Sequence, residues 1–391
     1  AAKGNTNTPP EAGHLRSDIA KALSGFSSPV SYGQEENRRL ARTLTGSKAN
    51  RAAVKRSLSP ELAGRLVAAL SSEGRVPVPD EKNPVELSDT QAVMAVVFAH
   101  VFLDLIVERN PSFAEDLAAF PSFGLSASPD WAESITVTLP AKSTGWISTG
   151  AYALPGVPLR ISAGNSEAGM RFLVGAHTDN LFSSDRREWQ RWPEVAVYGS
   201  LRSGLGELTS PFGGIVYLIP DPSGYLGDID VLIEGCVRYP VYRKGETSEG
   251  EWEKALSSTR SPWGEIVSDS LIITTLVSEL RKNDAGKACD FWDEALASYK
   301  SFAGFSPRAH RERVTFDIQT SMGYMHNGYP VMAHLDRAGT VLSGALAEPD
   351  SQTAYDMWGL FHEFGHNWQK RDYTMSYMGE VTVNIFTMLA Y

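Results

Sequence analysis

Two histidines four residues apart, with a glutamate directly after the first, occur in the segment WGLFHEFGHNWQ at residues 358–369. On a helix, His362 and His366 lie on the same face, so both imidazoles can reach one metal ion. Zinc prefers neutral imidazole ligands, and a catalytic zinc site has three protein ligands and a water molecule. Glu363 would lie beside that zinc-bound water and could take its proton during attack on a carbonyl carbon. The spacing therefore predicts a zinc-dependent hydrolase.

The same spacing also fits an amphipathic helix that carries two incidental histidines. The chain contains 8 His among 391 residues, so an HExxH pattern arises by chance in roughly one chain in a hundred of this composition. The apolar residues on both sides of the pattern are typical of a helix buried at the floor of a cleft. For these reasons we favour a metal site.

A catalytic site of this kind needs a third protein ligand, and two carboxylates that follow His366 are candidates. Asp372 completes the pattern HExxHxxQxxD, which approximates the metzincin pattern HExxHxxGxxH, but Gln369 stands where that pattern has the glycine of a sharp turn. Glu380 follows a glycine and opens an apolar-periodic run, which predicts a second helix that presents the carboxylate to the metal, as in gluzincins. We favour Glu380 as the ligand. Asn384, one turn later, is either a partner of a ligand or a surface amide.

The composition argues against two classes of protein. The formal net charge of −10 is contrary to the basic face of a nucleic-acid-binding protein. The longest apolar run, residues 92–107, is shorter than the roughly 20 residues of a membrane-spanning helix. We expect a buried core helix there, opened by a capping box of Ser88 and Gln91. The first residues contain no apolar signal core, although an export signal could have been removed.

The residue pattern divides the chain into three regions. Residues 14 to about 125 are rich in Ala, Leu and Arg and lack alternation, which predicts helices. Short β-rich runs separated by Gly, Pro, Ser and Asn follow between residues 134 and 220, which predicts an antiparallel sandwich or barrel-like module. Helical stretches then return, including residues 268–283, with a strand at 313–319. The predicted fold is α+β and multidomain, with a helical N-terminal domain over 1–130, a β-sandwich-like module over 131–240 and a catalytic domain over 241–391.

The residues around and beyond the HExxH pattern are similar to one family. WGLFHEFGHNWQ followed by GEVTVNIFTMLAY, at residues 379–391, resembles the enhancin-like zinc metallopeptidases (peptidase family M60), whose signature is HExxH, a variable gap and a glutamate. Further matches are STGAYALPGVPLRI (148–161), FGGIVYLI (212–219), SPWGEI (261–266) and HNGYPVM (326–332). The resemblance runs from about residue 135 to the end and leaves the helical N-terminal region uncovered.

This resemblance implies a β-sandwich subdomain packed on a gluzincin-type zinc metallopeptidase domain. By position, His362, His366 and Glu380 would bind Zn2+, and Glu363 would be the catalytic base. The resemblance further implies a secreted or cell-surface endopeptidase that cleaves mucin-type O-glycosylated proteins. The family's catalytic domain continues further beyond the glutamate, so we expect its C-terminal part to be absent from this chain or supplied separately.

Two other functions stay open at this point. One is a carbohydrate-binding or adhesion protein with a vestigial metal site, against which the intact Glu363 counts. The other is a metzincin-like peptidase that is indifferent to glycans.

Several aromatic and sulfur-containing residues have less specific patterns. Trp146, Trp189 and Trp192 could stack on sugar rings, although core packing is the commoner role of Trp. Cys236 and Cys289 are the only cysteines, and they form either one disulfide in an exported protein or two buried free thiols.

Overall fold

A computed structural model describes residues 12–140, 143–164, 169–221, 227–345, 352–372, 374 and 377–391. By their contacts, these residues form two compact units. The first comprises the residues up to Leu117 together with Asp179–Glu194, and the second comprises Ala118–Thr178 and Val195–Tyr391. The predicted domain boundaries near residues 130 and 240 stay predictions, since the second unit includes both the β-rich and the catalytic regions.

The helices and strands follow one another in a mixed order. The helices are α1 (Ala12–Ser27), α2 (Gln34–Thr45), α3 (Lys48–Ser57), α4 (Pro60–Leu70), α5 (Thr90–Val101), α6 (Leu103–Arg109), α7 (Pro111–Leu117), α8 (Glu249–Ser258), α9 (Val277–Leu280), α10 (Ala285–Ala303), α11 (Ala338–Leu342), α12 (Gln352–Trp368), α13 (Gly379–Thr382) and α14 (Asn384–Ala390). The strands are β1 (Val85–Glu86), β2 (Glu133–Leu139), β3 (Ile147–Ala153), β4 (Pro158–Ser162), β5 (Arg171–Val174), β6 (Glu188–Trp189), β7 (Val197–Ser200), β8 (Leu205–Thr209), β9 (Gly214–Ile219), β10 (Ile229–Arg238), β11 (Val241–Arg243), β12 (Trp263–Val267), β13 (Leu271–Leu276), β14 (Glu312–Asp317), β15 (Met325–His326) and β16 (Val331–His334).

The first unit is mainly helical, as predicted, and α5 is its most buried helix. Nearly all side chains of α5 are buried, which confirms a core helix over the first part of the apolar run, whereas the end of the run lies in the more exposed helix α6. The predicted capping box at Ser88 and Gln91 is wrong. Because the helix begins at Thr90, Asp89 is the capping residue, and its carboxylate accepts a hydrogen bond from the main-chain nitrogen of Ala92 at 3.0 Å.

No helix within the described ranges is both long and apolar enough to cross a membrane by itself. The pair α5 and α6 meets the length and composition criteria only when taken together, and the two helices are bent by 93° at the break between them.

The β-rich region of the second unit forms one antiparallel sheet of eight strands. Its order is β7-β5-β9-β3-β10-β4-β8, and β2 pairs with β10. The two strands at the ends of this order, β7 and β8, are consecutive in sequence and contact each other. Its side chains contribute to two apolar cores. The antiparallel β-rich module is thus present, as both predicted alternatives, the sandwich and the barrel-like module, require.

The region predicted to be the catalytic domain contains a six-stranded mixed sheet of order β11-β12-β13-β14-β16-β15. The predicted strand at residues 313–319 is confirmed as β14. The predicted helix over 268–283 is wrong, since Leu271–Leu276 forms the strand β13 and only Val277–Leu280 is helical. A central strand that is buried on both faces has a continuous apolar run without alternation, and the β-branched sequence IITT favours a strand over a helix.

The structure also decides between the alternatives for several cysteine and tryptophan residues. Cys236 and Cys289 are both buried free thiols, so the disulfide alternative is wrong. Burial raises the pKa of each thiol to about 12, which makes both unreactive near neutral pH.

Trp189 and Trp192 are fully buried core residues and present no surface to a sugar. Trp146 is partly exposed.

Candidate metal centre

Helix α12 has an apolar face that fixes it in the core. Its buried side chains recur every three or four residues, at Met357, Leu360, Phe361, Phe364 and Trp368. The Trp292 ring centroid lies 5.5 Å from those of both Phe361 and Phe364, and the Tyr299 hydroxyl donates to the Phe361 carbonyl at 2.8 Å. The HExxH side chains consequently extend from the other, partly exposed face.

Gly365 lets the following chain segment approach α12 closely. A Cβ atom at this position would lie 2.9 Å from Cγ2 of Val383 and 3.0 Å from Cβ of Phe386. Contacts this short are not tolerated, so a residue without a side chain is required here. The close packing of α14 on α12 brings Glu380 next to the histidines.

The predicted ligands His362, His366 and Glu380 converge on one point. Nε2 of His362 lies 3.0 Å from Oε2 of Glu380 and 3.1 Å from Nε2 of His366, and Nε2 of His366 lies 3.2 Å from the same carboxylate oxygen. Within the described ranges, no other three His, Cys, Asp or Glu side chains bring ligand atoms within 4.8 Å of one another. Asp372 is exposed and lies outside this group.

Asn384 determines which nitrogen of His362 carries the hydrogen. The side-chain nitrogen of Asn384 donates to the main-chain carbonyl of Glu380 at 3.1 Å, so its Oδ1 is the atom that faces Nδ1 of His362, at 3.0 Å. An amide oxygen can only accept, so Nδ1 carries the hydrogen and Nε2 presents its lone pair. Asn384 is therefore a hydrogen-bond partner of the predicted ligand His362 and not a free surface amide.

Gln369 has the same relation to His366. Its side-chain nitrogen donates to the Gly379 carbonyl at 2.8 Å and to the Thr382 hydroxyl at 2.9 Å, which directs Oε1 to Nδ1 of His366 at 2.9 Å. Nε2 of His366 is consequently also left with its lone pair. The main-chain carbonyls of residues 379 and 380 thus orient both amides, and residue 380 is also the predicted third ligand.

This donor set fits a metal ion. Two imidazole nitrogens and a carboxylate oxygen face one another at 3.0 to 3.2 Å, so a cation bound between neutral imidazoles would be attracted by all three atoms. Two histidines and one carboxylate, each oriented by an outer hydrogen bond, are a common ligand set of protein metal sites.

Glu363 lies beside the ligands and has a different partner. The main-chain N–H of Asn327 donates to its carboxylate. Burial raises the pKa of Glu363 above its ordinary value, and the hydrogen bond from the Asn327 main chain opposes that rise. A carboxylate that takes up a proton more readily than usual is suited to general-base chemistry.

Asn367 connects α12 to the segment that contains Asn327. Its side-chain nitrogen donates to the Gly328 carbonyl at 2.9 Å and to Oε2 of Glu312 at 3.1 Å. Neither Asn367 nor Gln369 is predicted from the sequence to be a partner of the site, where Gln369 is only a departure from a turn pattern. Their sole sequence signal was their position inside segments that match the family, because a hydrogen bond across 39 residues leaves no periodic pattern.

Two family models match consecutive parts of the chain. The model of the N-terminal domain of M60-like peptidases matches residues 130–233. The model described as peptidase M60, enhancin and enhancin-like, matches residues 235–391. Together they cover the β-rich region, the mixed sheet and the whole metal centre.

Named relatives include the TRPM8 channel-associated factors. Factor 1 from Bos taurus is 31% identical over 336 residues, which are 82% of this chain and 35% of the relative. Factor 2 from Homo sapiens is 31% identical over 254 residues, which are 64% of this chain and 27% of the relative. The chain thus spans about a third or less of the length of these relatives.

Solved structures of similar fold include two metallopeptidases. IMPa from Pseudomonas aeruginosa, solved in complex with an O-glycopeptide, matches with a TM-score of 0.53 and 17% identity over 97% of this chain and 44% of that one. The M60 catalytic domain of ZmpC from Clostridium perfringens, solved with the sialyl T antigen, matches with a TM-score of 0.50 and 17% identity over 66% of this chain and 56% of that one. These likenesses show the fold. The two consecutive family models confirm the resemblance seen in the sequence: the chain belongs to the enhancin and enhancin-like peptidases of family M60.

Proposed function

We propose that this protein is a zinc-dependent endopeptidase that cleaves mucin-type O-glycosylated proteins outside the cell or at its surface. The observation that carries the proposal is the convergence of His362, His366 and Glu380, with Glu363 beside them. In this proposal the three convergent residues hold Zn2+ in the gluzincin arrangement.

The choice of zinc follows from the donors. Neutral imidazole nitrogens and one carboxylate are the ligands of many catalytic zinc sites, whereas magnesium and calcium prefer oxygen donors. Bound zinc supplies a Lewis acid that polarises a carbonyl group and makes water more acidic.

Glu363 is the proposed general base. It accepts the proton of the attacking water and then passes a proton to the amine that leaves when the peptide bond breaks. The hydrogen bond from the Asn327 main chain holds its carboxylate in place for both transfers.

The substrate class is inferred from relatives. IMPa and ZmpC, whose structures contain an O-glycopeptide and the sialyl T antigen, share the fold of this chain. The net charge of −10 also supports a protein substrate over a nucleic acid.

Cleavage of a mucin-type glycopeptide, before and after enzymatic removal of its sugars, tests the proposal. We expect mass spectrometry to detect cleavage of the glycosylated form, loss of cleavage in a strong chelator and its recovery on addition of zinc. Equal cleavage of both forms would instead support a peptidase that is indifferent to glycans. Absence of cleavage of either form with zinc bound would contradict peptidase activity on this substrate class.

A second candidate is a binding protein that does not use the metal centre for catalysis. It is favoured by the 31% identity to proteins named for their association with the TRPM8 channel. The base at Glu363 counts against it, because a binding protein has no need of a proton acceptor beside the metal.

A further inference from the structure

A separate cavity lies in the same unit as the metal centre and shares no residue with it. Its volume is about 280 Å3, and Trp146, Arg243, His310, Arg311 and Tyr329 line it together with smaller residues. None of the described residues that line it is Asp or Glu. The lining is therefore positively charged, whereas the chain as a whole has a net charge of −10.

Arg243 and Arg311 each have guanidinium nitrogens that can donate to a ligand. The Arg243 guanidinium, at the end of β11, is partly buried and has no hydrogen-bond or ion-pair partner among the residues described in the structure. Nε of Arg311 donates to the Ser268 carbonyl at 2.6 Å, which anchors that side chain and leaves its terminal nitrogens available. The nearby carboxylate of Asp293 is already paired with Lys244 at 2.8 Å.

The aromatic wall of the cavity is held rigidly. The Trp146 carbonyl accepts a hydrogen bond at 3.2 Å from Arg313, which is fully buried and paired with a buried glutamate. The Trp146 ring packs against that of Tyr329 with centroids 5.4 Å apart, and His310 packs on the same tyrosine at 4.4 Å. At Gly145 an added Cβ would lie 2.7 Å from the His310 ring, so the main chain at Gly145 packs closely against that ring.

We infer that this cavity binds a single-ring organic molecule that carries a carboxylate. The planar guanidinium group matches a carboxylate through two parallel hydrogen bonds, and Arg243 and Arg311 both supply such donors. The apolar face of a ring packs on Trp146 and Tyr329. The volume is slightly below the roughly 300 to 1,000 Å3 of pockets for drug-sized ligands, which limits the ligand to about one ring.

Two sources of this chemistry are an acidic sugar and an aromatic acid. The inference is independent of the proposed peptidase function, because no lining residue belongs to the metal centre. Binding and catalysis therefore fail or succeed separately in experiments.

Ligand-observed NMR titrations test the inference. Glucuronate and benzoate are the acidic probes, and glucose and benzyl alcohol are their neutral counterparts. We expect one acid to bind in preference to its neutral counterpart, which identifies the source. Arg243→Gln should weaken that binding about tenfold or more, because it removes a charge-assisted hydrogen bond.

Arg160→Gln is the matched control, since it removes an arginine from an exposed ion pair with Glu207 outside the cavity. It should leave the affinity unchanged. Arg243→Lys keeps the charge but loses the planar fork, so its affinity should fall between those of the wild type and Arg243→Gln. This variant preserves the test if Arg243→Gln does not fold. Failure of both acids to bind, equal binding of acid and neutral probe, or equal effects of Arg243→Gln and Arg160→Gln would overturn the inference.

Discussion

His100 in the first unit and His362 in the second each lie close to a glutamate oxygen. Nε2 of His100 is 3.1 Å from Oε2 of Glu194, and Nε2 of His362 is 3.0 Å from Oε2 of Glu380. The two N–O distances are nearly equal, but Nε2 carries a hydrogen in the first pair and a lone pair in the second. This difference depends on which group faces Nδ1 of each histidine.

In the first unit, both ring nitrogens of His100 have complementary partners. Trp192 Nε1, which can only donate, lies 3.0 Å from Nδ1 of His100. Nε2 must therefore carry the hydrogen, and it donates to Glu194. That carboxylate also accepts from Arg51 at 2.6 Å and from Asn180 at 3.2 Å, so the cluster is satisfied within the protein.

In the metal centre the partner of Nδ1 is an acceptor. Amide oxygens of Asn384 and Gln369 face Nδ1 of His362 and His366, which leaves two Nε2 lone pairs directed at the Glu380 carboxylate. At His100 the donor that faces Nδ1 fits a structural role, whereas the acceptors that face Nδ1 of His362 and His366 fit the proposed role as metal ligands.

The largest expected effect is that of Glu363→Gln. The amide keeps the shape of the side chain but does not accept a proton, so we expect hydrolysis to fall by about 10²- to 10⁴-fold, or below detection, with metal content unchanged. Glycopeptide cleavage and elemental analysis measure the two quantities. Glu207→Gln, at an exposed position of the same unit, is the control and should keep full activity. Substantial residual activity of Glu363→Gln would show that another group is the base.

Removing the glutamate from each cluster tests the comparison directly. Glu380→Ala deletes one of three ligands, so its zinc affinity should fall by more than the roughly 10- to 100-fold typical of outer partners. Glu194→Ala should keep zinc but destabilise the protein by about 1–3 kcal/mol, because it leaves Arg51 and His100 without an acceptor. Competition with a chromogenic chelator measures zinc affinity, and urea unfolding measures stability.

Asp372→Ala is the control for the ligand assignment. This carboxylate is exposed and outside the convergent group, so its removal should leave zinc affinity unchanged. Loss of zinc from Asp372→Ala, together with its retention by Glu380→Ala, would move the protein to the metzincin arrangement and contradict the gluzincin proposal.

The metal centre is more predictable from the sequence than the His100 cluster is. The HExxH spacing is local, so it predicts that His362 and His366 share a face, and the family signature points to Glu380 across a short gap. The role of Gln369 is not predictable from its neighbours in sequence, because its hydrogen-bond partners depend on where α13 lies. The pairing of His100 with Glu194 spans 94 residues, and no pattern in either segment indicates it.

The dependence on partners distant in sequence also explains why β13 is wrongly predicted as a helix. A buried central strand and a buried helix are both continuous apolar runs, and only the neighbouring strands β12 and β14 decide between them. The helical N-terminal region, the β-rich module and the strand β14 were predicted because their periodicity or turn residues lie within a few positions.

Gln369 should have a smaller effect than a direct ligand. Gln369→Ala removes the acceptor for Nδ1 of His366 and the contacts to Gly379 and Thr382, so we expect zinc affinity to fall about 10- to 100-fold. Gln369→Glu keeps an acceptor for Nδ1 but loses the donor, and it should lie between Gln369→Ala and the wild type. Zinc affinities measured by chelator competition check this order. Unchanged affinity in Gln369→Ala would mean that the His366 tautomer does not depend on this amide.

The smallest expected effect concerns the response of the His100 cluster to pH. Burial lowers the pKa of His100 below its ordinary value, although Glu194 opposes that change. In the unfolded chain the imidazole takes up a proton near its ordinary pKa of about 6.5, whereas in the folded protein it stays neutral to lower pH. The unfolded state therefore binds more protons in this range, and the stability present above about pH 6.5 is lost as the pH falls towards the folded pKa.

His100→Gln, which does not titrate, should lose less stability than the wild type between pH 7 and pH 5. The difference should be about 1.4 kcal/mol for each pKa unit by which the folded and unfolded states differ. Urea unfolding at several pH values measures it, with a chelator present throughout, because zinc binding competes with protons at the metal centre and would add its own pH dependence. Parallel stability profiles for the wild type and His100→Gln would show that this imidazole has the same pKa in both states. The contrast between a histidine that is satisfied by its neighbours and one that requires a cation would then rest on the metal measurements alone.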